Sequence, residues 1–179
     1  MRVCYASLFT AGVFAAFAFA APWQNGTAER IANPEQITSD SDFMQKAAED
    51  MAYLEAVSAW AKDHGTHVVR YPARDLLFDQ GQLGASLAKL AKNKHIDAEL
   101  KLNDLDKHKR AQMEAMNAGQ VDRFFLNEES QRYGQLASLL QAESQQGQDP
   151  DIKRWASDNI KTLQQQQELI HKKVQPRVK

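Results

Sequence analysis

The sequence holds a single cysteine, Cys4, and that residue lies in an N-terminal stretch of a kind that is removed. MRVCYASLFTAGVFAAFAFAAPW has Arg2 as a positive end and an apolar run, Leu8 to Phe19, too short to span a bilayer. Ala18-Phe19-Ala20 is a cleavage pattern, with Pro22 just beyond it. Residues 1–20 therefore read as a secretory signal peptide. A chain cut after Ala20 keeps no cysteine, which excludes a disulfide, a thiolate metal site and a cysteine nucleophile. Cys4 also stands too early to be a lipidated cysteine, which would follow the apolar run. Export without disulfides fits a bacterial periplasmic or outer-membrane-associated protein. No integral membrane span is expected once the signal is gone.

Excess charge of one sign is missing too. Lys and Arg number 22 against 23 Asp and Glu, and loss of Arg2 with the signal leaves a net charge of −2. That balance excludes nucleic-acid binding through a basic face. Glycine (8) and proline (5) are scarce, and no glycine-rich phosphate loop occurs. None of the serines sits in a strand-turn-helix elbow, so no catalytic residue is assigned. Gln, Ala, Leu and Lys dominate instead, which is a helical composition. The 179 residues are enough for one domain with a sizeable core.

The organising stretch is Val121 to Gly147, read as the central helix of a bundle. Val121, Phe125, Leu136 and Leu139 recur on it at helical spacing. Before it, residues 21–41 form a polar leader without periodicity. A first helix is expected from Asp42, with Asp42 as N-cap and Gln45 three residues on. Its face is Phe43, Ala47, Met51, Leu54, Val57 and Ala61, and Gly65 ends it. A second helix, about Tyr71 to Asn93, keeps Pro72 in its first turn. Its stripe of Ala73, Leu76, Gln80, Leu83, Leu87 and Leu90 is apolar except at Gln80. Gly81 and Gly84 weaken this helix by roughly 1 kcal/mol each and invite close approach by a neighbour. Lys94 to Gly119 is looser, with Leu102, Leu105, Met113 and Met116 marking a shorter surface helix. Asp149 and Pro150 open the last helix as N-cap and first residue, and Ile152, Trp155, Ile160, Leu163 and Ile170 make its face. The bundle domain is 42–174, with a frayed tail at 175–179. The fold class expected is all-α, an antiparallel four-helix bundle with an additional short crossing helix.

The run of Phe43-x3-Ala47-Ala48, Val69 to Leu87, Val121-Asp122-x2-Phe125 and Asp149-Pro150 to Leu163 resembles the domain-of-unknown-function 4142 family. The resemblance spans about Asp42 to Val174. It implies an exported bacterial protein with a ferritin-like fold, often labelled a predicted outer-membrane protein. The family pattern places a His after an Asp in the second helix, where this chain has Asp79-Gln80. It places further His at positions that are Arg132 and Gln166 here, and a Glu at Leu54, with Glu55 alongside. None of Leu54, Gln80, Arg132 and Gln166 offers an imidazole or a carboxylate, and Arg is a permanent cation. No cofactor and no metal are therefore expected.

Gln80, Glu128, Arg132 and Gln166 are the candidate site, a buried polar layer at one level of the interior. Arg132 is expected to pair with Glu128, four residues before it, because an unpaired buried charge costs several kcal/mol. The other reading of Arg132 is a side chain that snorkels to solvent. His64 and His67, beside Asp63, are a weaker metal alternative, and the glycine between them points to a solvated turn. Asp75 and Asp79 share a helix face and read as solvated rather than as an acid/base pair. The function expected is a non-enzymatic, metal-free structural or interaction role in the cell envelope. One alternative is a metal-binding ferritin-like protein or oxidoreductase with shifted ligands such as Glu55, Glu128 and Glu129. Another is a module offering its Gln-rich last helix, Gln164 to Gln167, to a protein partner.

Overall fold

The computed structural model describes residues 39–174, without the side chains of His171, Lys173 and Val174. The expected signal peptide, most of the leader and the tail at 175–179 lie outside the described residues. Five helices follow in order: α1 Asp40–His64, α2 His67–Lys94, α3 Asp104–Glu114, α4 Ala118–Gln146 and α5 Pro150–Val174. Among the described residues there is no strand.

Capping chemistry fixes where the helices start, and it moves three expected boundaries. α1 begins two residues earlier than its apolar face suggests. Ser39 is its N-cap, accepting from the Asp42 N–H at 3.1 Å and donating its hydroxyl to the Asp42 carboxylate at 2.9 Å. Asp42 is thus the third helical residue, the place where an acid completes a reciprocal cap. α2 begins at His67 because Thr66 caps it, accepting from the Val68 N–H. Pro72 then sits in the second turn, and the carbonyl it leaves without a donor belongs to the exposed Val68, within reach of water. α4 takes in Gly119, since Asn117 and Gln120 bond each other's backbone N–H in a complete capping box.

Cross-helix contacts give the directions. Along α1 and the link that follows it, Asp40, Asp50, Tyr53 and Thr66 meet Asp149, Arg132, Glu128 and Asp122 respectively, so α4 runs antiparallel to α1. Along α2, Asp79, Ser86 and Lys94 meet Gln166, Trp155 and Asp151, so α5 runs antiparallel to α2. Two antiparallel hairpins, α1–α2 and α4–α5, thus form the square. One long connection joins them, the arrangement of ferritin-like folds. α3 carries that connection, lying alongside α1 in the same direction, with Asn103 bonded to Glu49 and Arg110 to the Ala56 carbonyl.

The expected apolar faces fill the core. Phe43, Met51, Leu54 and Val57 of α1 are buried against Leu87, Phe125, Leu136 and Ile152. Leu105 departs from expectation: it is exposed, and Asp106 turns inward beside Met113. Of the two glycines expected to admit a neighbour, Gly84 does so. A Cβ there would come within 3.0 Å of the Glu55 carboxylate and 3.3 Å of Leu100, whereas at Gly81 it would meet nothing.

Candidate functional site

α4 supplies the centre of the polar interior. Glu128, Glu129, Arg132 and Tyr133 are two adjacent pairs one turn apart, so all four stay on the buried side. The guanidinium of Arg132 forks between two other helices. One terminal nitrogen donates to Asp50 of α1 and the other to Asp106 of α3, each at 2.6 Å. Arg132 is 8% exposed and the two acids 1% each. A planar cation with fixed donors suits two converging carboxylates. The guanidinium also lies 4.4 Å from the Tyr53 ring centroid. Burial pushes the Asp50 carboxyl up, against the lowering pull of Lys46 and Arg132.

The expected Arg132–Glu128 pair is therefore replaced. Glu128 accepts instead from the Tyr53 hydroxyl at 2.7 Å and from Lys109 at 2.8 Å. Neighbours on one helix face compete poorly with groups that other helices bring to the end of a long side chain. Burial and the Glu128 carboxylate push the Tyr53 hydroxyl up.

A second, drier cluster surrounds Glu129, which is fully buried. It accepts from the Ser58 hydroxyl at 3.0 Å and from the Gln80 amide at 2.9 Å. The same amide nitrogen donates to the Tyr133 hydroxyl at 3.1 Å, so both groups bonded to Glu129, Ser58 and Gln80, are uncharged. Burial drives its carboxyl well above the usual range, and that of the Tyr133 phenol likewise. Burial thus favours the protonated form of Glu129. The Gln80 Oε1 has no donor as oriented.

Gln80, Glu128 and Arg132 thus lie in the interior, in two neighbouring networks. Gln166 does not join them. Leu163 and Ile170 take the buried positions of α5, and Gln166 faces the seam with α2, where it donates to Asp79 at 2.6 Å. His64 ends α1, stacked on Trp60 with ring centroids 3.5 Å apart, and His67 is exposed at the start of α2. They occupy two helices, not one face or one loop. Asp50, Tyr53, Ser58, Asp106, Lys109 and Tyr133 are the members that the sequence reading missed, and Glu129 figured there only as a shifted metal ligand. Asp50 and Glu129 did carry a signal, since each falls in register with its helix's apolar stripe, between Ala47 and Leu54 and between Phe125 and Arg132.

Ferritin-like carboxylate proteins hold cations with Glu and His projecting inward from facing helices. The donors here do not fit that task. Among the described residues no inward group is an imidazole, Asp50 and Asp106 are taken by a guanidinium, Glu128 by an ammonium and a phenol, and burial disfavours the charged form of Glu129. Among the described residues, no three His, Cys, Asp or Glu side chains converge to hold a metal ion.

Two further features lie at opposite ends of the bundle. At the start of α1, Asp40 accepts from the backbone N–H groups of Gln148 and Asp149 at 2.8 and 2.7 Å, fastening the α4–α5 turn. Beneath that turn Glu143 is buried, and neither of its oxygens meets a donor. Gly147 leaves no spare room above it: a Cβ there would stand 2.8 Å from the Glu143 backbone carbonyl oxygen and would also push the Glu143 carboxylate aside. Burial and the adjacent Asp40 carboxylate push the Glu143 carboxyl up to about 7. At the other end, a groove of about 290 Å³ opens between the start of α2, the start of α4 and the end of α5. Asp75 and Asp79 stand on its rim, so the two acids expected on a featureless solvated face border a cavity.

A helical square with one crossover places the chain in the ferritin-like class of bundles. It belongs to the family described as Domain of unknown function (DUF4142), which it matches over residues 26–172. No curated protein and no solved structure matches the chain. Among the described residues, no helix is long and apolar enough to cross a membrane.

Proposed function

We propose that this protein is a metal-free structural or interaction protein of the bacterial cell envelope, exported by its N-terminal signal. The observation that carries the metal-free part is the Arg132 fork on Asp50 and Asp106. Two buried carboxylates from separate helices need a positive charge between them, and the chain supplies it covalently, from α4. A metal ion would have to displace a permanent cation held by two short charge-assisted bonds. The polar layer then acts in architecture. It pins α1, α3 and α4 at one register, the best-attested use of buried ionic groups. Export rests on the arrangement of Arg2, the apolar run and Ala18-Phe19-Ala20.

Metal analysis of the mature protein, purified from the envelope without denaturation or a tag, tests this. The expected result is iron, manganese and zinc far below one equivalent, in a protein whose N-terminus is Ala21. Stoichiometric metal, or retention in the cytoplasm with Met1 intact, overturns it. Nothing favours the alternative of shifted ligands: Glu55 lies against Gly84, Glu128 on Lys109, and Glu129 among Ser58 and Gln80. The Gln-rich face is only partly free, because Gln166 is tied to Asp79 and Gln167 to the Ser130 carbonyl.

A further inference from the structure

We propose that the groove between α2, α4 and α5 is a binding site for a small organic cation, an apolar body carrying one protonated amine. The floor is apolar: Leu76, Phe125 and Ile170 are nearly or fully buried, and Leu126 and Leu169 continue it upward. Its volume, about 290 Å³, suits a compact ligand of one ring and a short chain. The mouth is a different surface. Tyr71 presents its ring there, 65% exposed, and the charged side chains lining the groove, among the described residues, are the carboxylates Asp75 and Asp79. An apolar floor below two acids and an aromatic face matches an amine head on a hydrophobic body, and it repels a carboxylate or phosphate.

The mouth already handles such a charge. Arg74 lies 5.3 Å from the Tyr71 ring centroid while donating to one oxygen of Asp75 at 3.0 and 3.2 Å, so ring and acid together already hold one of the chain's own cations, which an incoming amine would displace. Gln166 holds Asp79 from the α5 side at 2.6 Å, which fixes that acid at the rim without neutralising it. The site lies away from the ion networks of the interior, so it does not depend on the metal-free reading.

The test is isothermal titration of the full chain with three probes of one shape: phenethylamine, phenethyl alcohol and hydrocinnamate. The expected result is binding of the amine about tenfold tighter than the alcohol, and no binding of the carboxylate. Asp75→Asn with Asp79→Asn, both at exposed positions, should abolish the preference for the amine while melting temperature stays unchanged. Leu126→Gln, which removes apolar floor without adding charge, should weaken amine and alcohol together. Equal affinity for amine and alcohol, a preference that survives in the double variant, or no binding of any probe overturns the proposal. So does a dimer in light scattering that Leu169→Glu dissociates, since a second copy of the chain would then cover the groove.

Discussion

Removing Arg132 should expose how the interior is held together. Arg132→Met keeps much of the side chain's volume and its contact with the Tyr53 ring, but deletes both bonds to Asp50 and Asp106. Each acid is 1% exposed, so neither recovers water easily, and Asp50 keeps only the looser ion pair with Lys46 at 3.5 Å. Stranding a buried charge in this way costs about 3–5 kcal/mol. With a urea slope of about 1–3 kcal/mol/M for a domain of this size, the unfolding midpoint should fall by roughly 2 M. The deficit should shrink with acid. Burial already raises the Asp50 carboxyl, and loss of Arg132 removes a lowering influence on it. Protonation therefore reaches the folded variant at a higher pH than the unfolded chain, and the penalty fades as pH falls toward 3.8, the ordinary Asp value. Adding Asp50→Leu and Asp106→Leu removes the stranded charges and should restore most of the stability, because an apolar replacement of a whole buried ion cluster is often neutral or better. A single variant within about 1 kcal/mol of the parent, or a triple variant no better than the single, refutes the account.

Two other carboxyls give distinct pH signatures. Glu129 is raised by burial, so its contribution is complete below the unfolded value of 4.5 and declines as pH rises toward the folded value. Glu129→Gln keeps the shape of the protonated acid; its stability should fall less than the parent's as pH rises above 4.5, and carbonyl-stretch infrared difference spectra should lose the band of the titrating acid. Glu143 has the same sign over a defined window. Its stabilisation should be lost between pH 4.5 and about 7, by up to about 3 kcal/mol, as the acid beside Asp40 ionises. Thermal melts of Glu143→Gln should be flatter than the parent's across that window, and parallel curves would contradict the assignment.

Long, strongly patterned segments were legible in the sequence for a simple reason. Leu163 and Ile170 of α5, or Leu54 and Val57 of α1, can only face a core, and a helix repeats that constraint every turn. The start points of α1, α2 and α4 were harder, because Ser39, Asp40 and Asp42 are all competent caps and only the backbone geometry chooses one. Arg132 drew notice as a charge in an apolar stripe, yet its partners did not. Asp50 and Asp106 stand 82 and 26 positions away, the latter in the charged stretch Asp-Leu-Asp-Lys-His-Lys-Arg that reads as solvated. Spacing along one helix shows which residues share a face. It does not show what a crossover helix lays against that face. Asp75 and Asp79 were read as solvated for a related reason: their groove exists only where α4 and α5 arrive beside α2.

The bond from Asp40 to the α4–α5 turn fixes where the polypeptide enters the bundle. Entry is at the pole shared with Glu143 and Gly147, whereas Tyr71, Phe125 and Ile170 surround an opening at the other pole, about 37 Å away along a helix of 25 residues. A molecule seated in that opening therefore cannot touch Glu143, and the two ends of the bundle are separate places for chemistry.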